Sequence, residues 1–490
     1  MREDSPSPTP APADNVPASA RRFGRDLTVG SIPRHLLVFA LPMLAGSVLQ
    51  TAYMFVNLIW VGRWLGSREL AALGTSMPVL FVLFTLAAGM TMASTVLISQ
   101  HFGAGDLPAV RRVVVNSSLL IGGLSVVLLA AGELAAEPIL RLMNAPPEVL
   151  GLSVAYLRIL LISFPFGFGM FLMRNMLQGI GDSRTPLYFL AGSVVLTAAL
   201  DPVLMFGWLG APKLGLNGTA WAATIAQCLA MVALATTLRR QKNLVAPTLS
   251  PRQFHGPTFW ATIRIGLPSA AQQMMVSISM VVVTGIVNQF GKPTIAAFGA
   301  ATRGIDQWAF LPAMTFSMSV TTLAGQNIGA GRYDRVRSIL LWGCLLSGGI
   351  TLCVSAAAVG VPALLMRIFT DDAEVIRIGC GYLRIVGFGY VLFSVMFVIN
   401  GILNGAGRTL VTAALTLLTL WIVRVPTAIV LCRMLGRVEG VWYAIVLSFS
   451  VAMLGSLGYY CTGWWRRPIL RKILPIQTSA SMVGDQAGEA

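Results

Sequence analysis

The sequence predicts an all-α, polytopic membrane protein with twelve transmembrane helices arranged as two pseudo-symmetric six-helix bundles. Three observations carry this. First, the chain has 490 residues, 56% hydrophobic and only 11% charged, well below the charged share of about 25% usual in soluble domains. Second, its mean hydropathy is +0.75, and the apolar residues gather in long runs between short polar breaks. Third, the chain is written twice. Pro42 and Pro268, 226 residues apart, open LPMLAGSVLQ and LPSAAQQMMV. The same offset links SQHFGAGD, with Gln100 and Gly105, to GQNIGAGR, with Gln326 and Gly331. It also links Tyr156-Leu157-Arg158 to Tyr382-Leu383-Arg384, and LQGIG (177–181) to LNGAG (403–407). A duplicated membrane chain can place a pathway between its halves and rock one against the other. That points to transport.

A helix that crosses hydrocarbon needs about 20 apolar residues. In the first half, runs of this kind fall near 34–60, 68–99, 113–136, 151–179, 186–208 and 216–238. The second half supplies 259–289, 294–326, 338–366, 376–405, 410–435 and 438–463. Several are longer than the bilayer requires, so tilt, kinks or extension beyond the lipid is expected. Residues 1–30 read as a Pro-, Ser- and Ala-rich disordered cytoplasmic tail, with no apolar core of the signal-peptide kind. The expected divisions are then an N-lobe over 31–238, a polar cytoplasmic linker over 239–258, a C-lobe over 259–465 and a C-terminal tail over 466–490. An even number of spans separates the two bundles, so they start on the same side and are related by an axis along the membrane normal.

Charge sets the orientation. With both ends inside, the cytoplasmic connections hold most of the basic residues, among them Arg21, Arg22, Arg111, Arg112, Arg239, Arg240, Arg332 and Arg335. The localisation this implies is an inner membrane, crossed many times. The net charge of +16 is topological by this reading. No basic stripe interleaved with aromatic residues suggests a nucleic-acid partner. The lipid bilayer is the expected partner, with the chain as a monomer. The six cysteines lie in apolar stretches without metal spacing, and there are only three histidines, so no cofactor is expected. The sequence carries no Walker A, HExxH or GxSxG motif. An enzyme or a directly ATP-driven pump is therefore disfavoured.

VGRWLGSRELAALG (61–74), SQHFGAGD, LQGIGDSRTP (177–186), LDPVLMFG (200–207), AGQNIGAGR and LRIVGFGY, in this order, resemble the multidrug and toxic compound extrusion (MATE) family. The resemblance runs from about residue 30 to 465, and LDP in the fifth span is similar to the DinF-like branch. It implies a V-shaped antiporter that expels organic cations or amphipathic drugs in exchange for H+ or Na+. A lipid-linked precursor flippase of the wider superfamily is the alternative. Arg158, Arg174 and Arg424 would then line a cationic cavity.

Ionisable groups at membrane depth are expensive and mark functional sites. Asp201 reads as the sole carboxylate inside a first-half span, followed by Pro202, which frees carbonyl oxygens nearby. It either loads a proton or, if the coupling ion is sodium, helps to hold the metal. The family's first-span aspartate is replaced here by Asn57, and Asn175 matches a polar position of the same cluster. With Thr197 one turn before Asp201, these four form the expected ion-coupling pocket. In the second half, Arg303 and Asp306 are spaced to pair along one helix face, and Arg424 is a candidate partner for a carboxylate across the interface. Met54, Phe55, Met173, Gln272, Gln273, Met275 and Asn400 are the expected wall of the substrate cavity, since methionine, aromatic and amide side chains adapt to bulky amphipathic cargo.

Overall fold

The computed structural model describes residues 24–248 and 250–466. The expected tails over 1–23 and 467–490 lie outside the described residues. The described chain is helical, in twelve long runs. We number them α1 (Ile32–Trp60, ending in a π turn Val61–Leu65), α2 (Ser67–Gly103), α3 (Leu107–Leu142), α4 (Pro147–Gly179), α5 (Arg184–Phe206) and α6 (Leu216–Arg240). The second half gives α7 (Gly256–Val287) and α8, which joins Lys292–Ala300 to Asp306–Gly329 through a π turn at Ala301–Ile305. It continues with α9 (Tyr333–Gly360), α10 (Ala373–Gly405), α11 (409–435, with a π turn Leu418–Arg424 inside it) and α12 (Glu439–Cys461). Eleven runs are long and apolar enough to cross a membrane. The other, α8, carries Arg303, Asp306 and a Ser- and Thr-rich stretch that lowers its hydropathy.

Most helices run past the apolar stretches that predicted them. α3 starts at Leu107 because the Asp106 carboxylate caps it, accepting from the Ala109 N–H at 3.0 Å, with Pro108 in the first turn. Arg111 and Arg112 then form part of a helical turn beyond the apolar run.

Each half has its own apolar core, one built on Val96, Leu157, Phe164 and Phe168, the other on Tyr382, Tyr390, Trp442 and Phe449. The start of each half crosses over to the other. α1 packs against α8 and α9, whereas α7 packs against α2 and α3. Leu27, Ile32 and Leu36 accordingly share a third core with Val320, Leu323 and Ile402.

The two halves meet closely at the end that carries the N-terminal segment, here called the near end. A Cβ on Gly103 would lie 2.0 Å from the Gln326 carbonyl oxygen, and one on Gly329 would lie 1.9 Å from the Gln100 carbonyl oxygen. Only glycine permits this approach of α2 to α8. The amides of the same two glutamines then reach into the opposite half. Gln100 Nε2 donates to the Gly405 carbonyl at 2.6 Å, and Gln326 Nε2 donates to the Gly179 carbonyl at 3.1 Å. All four partners obey the 226-residue offset. The contact is a reciprocal clasp about a pseudo-two-fold axis.

The residues 24–30 assigned to the N-terminal tail are ordered against this junction, with Leu27 and Thr28 each 1% exposed. The expected linker shrinks to 241–255, since α6 reaches Arg240 and α7 begins at Gly256.

Candidate functional site

Asp201 sits on α5, 17 residues from its start, or about 26 Å along the axis, towards the far end of the bundle. Its side chain is fully buried. Oδ2 accepts from the Tyr53 hydroxyl at 3.2 Å and from Asn57 Nδ2 at 3.4 Å. Tyr53 and Asn57 are one turn apart on α1, so one helix face presents both hydrogens. Asn57 lies just before the π turn Val61–Leu65, a distortion frequent at functional sites. Oδ1 of Asp201 is buried and has no protein partner.

The structure brings together only part of the expected group. Asn57 joins Asp201, and Thr197 does not, because its hydroxyl bonds back to the Ser193 carbonyl at 2.7 Å. Asn175 is bonded elsewhere. Its Nδ2 donates to the Phe171 carbonyl at 2.9 Å, and its Oδ1 accepts from Thr95 Oγ1 at 3.1 Å, tying α4 to α2. Tyr53, which no motif marks, joins the site because it lies one turn from Asn57 on the same face of α1. Nor is Asp201 the sole carboxylate on a first-half span. Glu133 of α3 pairs with Arg158 of α4 at 3.5 Å, both partly exposed.

In the second half, Asp306 and Arg303 do not form the expected pair. Arg303 is exposed and Asp306 is 2% exposed. The π turn between them adds a residue to the helical repeat, so i and i+3 no longer share a face. Asp306 instead accepts from two tyrosine hydroxyls of α10, Tyr382 on Oδ2 at 2.6 Å and Tyr390 on Oδ1 at 2.5 Å. Among the described residues, Arg424 meets no carboxylate across the interface. Its Nε donates to Ser448 Oγ at 2.8 Å, and its guanidinium stands 5.1 Å from the centre of the Phe449 ring.

The MatE family model matches residues 42–203 and again 268–430, two blocks whose starts lie 226 residues apart. The chain belongs to the MatE family. MatE proteins are multidrug efflux transporters that cross the membrane many times. A probable multidrug resistance protein YoeA of Bacillus subtilis is 31% identical over 450 residues, 90% of this chain and 96% of the relative. A probable multidrug resistance protein NorM of Thermotoga maritima is 27% identical over 90% of this chain and 94% of its own length. Among solved structures, a MATE protein in the straight conformation matches with a TM-score of 0.83 and 23% identity, covering 92% of this chain and all of that one. An outward-facing multidrug resistance MATE transporter also gives 0.83, over 93% of this chain and all of its own. The fold is theirs.

Within the MatE fold the expected cavity wall divides. Met54 and Phe55 of α1 are 65% and 56% exposed, and Gln273 of α7 is exposed. Gln272 and Met275 are half-buried, and Gln272 Nε2 donates to Thr416 Oγ1 of α11 at 2.9 Å. Met173 and Asn400 belong to the interior of their lobes. Met173 packs in the first-half core, and Asn400 Oδ1 accepts from Ser456 Oγ of α12 at 2.9 Å. These two are corrections. Counting polarity and type along a span does not tell which face points away from the lobe's own core. Among the described residues, no group of three or more His, Cys, Asp or Glu could hold a metal ion.

Proposed function

We propose that this MatE chain is a secondary active antiporter that exports cationic and amphipathic organic compounds in exchange for an inward-moving ion bound at Asp201. It works in an inner membrane as a monomer, with both termini in the cytoplasm. The observation that carries the reading is the buried, unpartnered Oδ1 of Asp201. A carboxylate held on one oxygen and bare on the other is poised to take up an ion. Its neighbours Tyr53 and Asn57 present hydrogens rather than oxygens. That favours a proton over sodium, which needs several oxygen donors. Protonation removes the charge that holds those hydrogens, frees α1 from α5, and so couples ion binding to the position of α1. Cargo and ion then compete through the conformational equilibrium, without sharing ligands.

Asp306 serves a different purpose. Both of its oxygens are satisfied by tyrosines within an aromatic core, so it braces α8 to α10. The flippase alternative needs free cations in the cavity. Two of the three candidate cations are engaged, Arg158 in an ion pair and Arg424 with Ser448 and Phe449, which weighs against it.

The test is dye efflux from proteoliposomes under separately imposed proton and sodium gradients, with wild type beside Asp201→Asn. Proton-driven efflux that is lost in the variant supports the reading, and sodium-driven efflux replaces the ion. Normal efflux by Asp201→Asn sinks the coupling site. No efflux by folded wild type under either gradient returns the choice to the flippase.

A further inference from the structure

The clasp between Gln100 and Gln326 is symmetric, but among the described residues only Gln326 has its amide oxygen engaged by a further segment. Residues 24–30 run across the near end in a path fixed by backbone hydrogen bonds to both halves. The Arg25 N–H donates to the Ile180 carbonyl of the α4–α5 turn at 2.9 Å. Beside it, Gly24 lies so close that a Cβ would be 2.3 Å from the same oxygen. The rest of the segment is held by the second half. The Leu27 N–H donates to Gln326 Oε1 at 3.0 Å, and Asn327 Nδ2 donates to the Leu27 carbonyl at 3.2 Å. Arg332 Nη1 donates to the Thr28 carbonyl at 2.7 Å, and Arg335 Nη2 to the Gly30 carbonyl at 2.9 Å. Leu27 is sealed into the apolar cluster formed by α1, α8 and α10.

Two features make this more than an ordered terminus. The seat is composite: Ile180 comes from the first half, and Gln326, Asn327, Arg332 and Arg335 from the second. Separation of the halves at this end pulls the two parts of the seat apart. The segment also shares a side chain with the clasp. By occupying Oε1 of Gln326, the Leu27 N–H fixes the amide so that Nε2 faces Gly179. Among the described residues, no segment donates to the amide oxygen of Gln100.

We infer that residues 24–30 are a latch that holds the near end closed and must leave its seat before the halves can part there. The latch sets the resting balance between the two access states from outside the transport pathway. The inference rests on two halves that separate, not on Asp201, and its test reads distance rather than transport.

Spin labels on Arg184→Cys and Leu410→Cys, repeat mates exposed at the near end of the two halves, report that separation in a cysteine-free chain in lipid nanodiscs. The full chain is expected to show a dominant short distance. Deleting residues 2–30, or introducing Leu27→Asp, should raise the long-distance fraction several-fold, and Leu27→Ala should raise it less. Leu27→Ala serves if the harsher changes prevent folding. Unchanged distances in the folded variants overturn the latch. So does a lowered melting temperature with unchanged distances, which would make the segment a static brace.

Discussion

Replacing Gly103 or Gly329 by alanine tests the reciprocal clasp directly. A Cβ at Gly103 would stand 2.0 Å from a backbone oxygen, whereas real Cβ contacts stay beyond 3.0 Å. The contacted atom belongs to a helix backbone and cannot swing aside, so α2 and α8 must separate by about 1 Å or more. The Gln100–Gly405 and Gln326–Gly179 bonds, at 2.6 and 3.1 Å, then stretch beyond the usual range of about 3.2 Å. A buried group left unpaired costs about 1–3 kcal/mol, although bonds between membrane helices average nearer 0.6 kcal/mol. Two of them together give a loss of about 1–6 kcal/mol for the closed near end. At tenfold per 1.4 kcal/mol, the open population rises by at least roughly five-fold and by up to about ten-thousand-fold. A cysteine at Ala330, 9% exposed beside the crossing, reports that population through its rate of reaction with a water-soluble maleimide. Both substitutions should accelerate labelling by at least about five-fold and to a similar degree. Gly285→Ala, where a Cβ meets nothing within 4 Å, should leave the rate unaltered. Parental labelling rates in folded Gly103→Ala or Gly329→Ala would refute the clasp as the closure of this end.

Other substitutions separate the working groups from the braces. Asp201→Asn should reduce gradient-driven efflux to the level of empty vesicles while the protein still binds dye and melts normally. Tyr53→Phe removes one donor from the same carboxylate and should slow efflux several-fold, equivalent to about 1 kcal/mol, measured at a fixed gradient. Asp306→Asn should cost about 1–3 kcal/mol of stability, seen as a lower melting temperature, with efflux per folded molecule retained. Glu133→Gln breaks a partly exposed pair and should change stability by less than about 1 kcal/mol, so its melting curve should overlay the parent's.

The sequence made the spans and the duplication legible because both are long-range patterns of type: apolar runs, and motifs in register. It made Asp201 legible because a carboxylate in a fifth span is costly anywhere. Contacts across the bundle were not legible. Arg303 and Asp306 looked paired because a regular α-helix was assumed, and the π turn at Ala301–Ile305 has no reliable sequence signature. Asn175 looked like a pocket member because polarity in a span does not reveal its direction. It lies against Thr91 and Thr95 instead. Residues 24–30 read as polar tail because Leu27 and Val29 are two isolated apolar residues beside Arg25 and Asp26. The burial of Leu27 depends on backbone bonds to Asn327, Arg332 and Arg335 that no local pattern announces. Glu133 sits in a span whose apolar run is legible, but nothing local marks its pairing with Arg158 of the next helix.

The duplication also separates mechanics from chemistry. The parts that obey the 226-residue offset are Gln100 and Gln326, Gly103 and Gly329, and Gly179 and Gly405, and they form the clasp by which each half grips the other. The buried carboxylates do not obey it: Thr427 stands where Asp201 would recur, and Leu80 where Asp306 would have its counterpart. Tyr156 and Tyr382 do correspond, but only Tyr382 donates to the carboxylate of its own half; Asp201 draws its donors from Tyr53 and Asn57 of α1 instead. The clasp relates the two halves to each other and not the two faces of the membrane, so it closes one end whichever lobe binds the ion. Coupling requires a group whose ion affinity differs between the two access states. In the proposed antiport cycle, the bare oxygen of Asp201, set against the two occupied oxygens of Asp306, is the feature that would make the first lobe the ion-binding one.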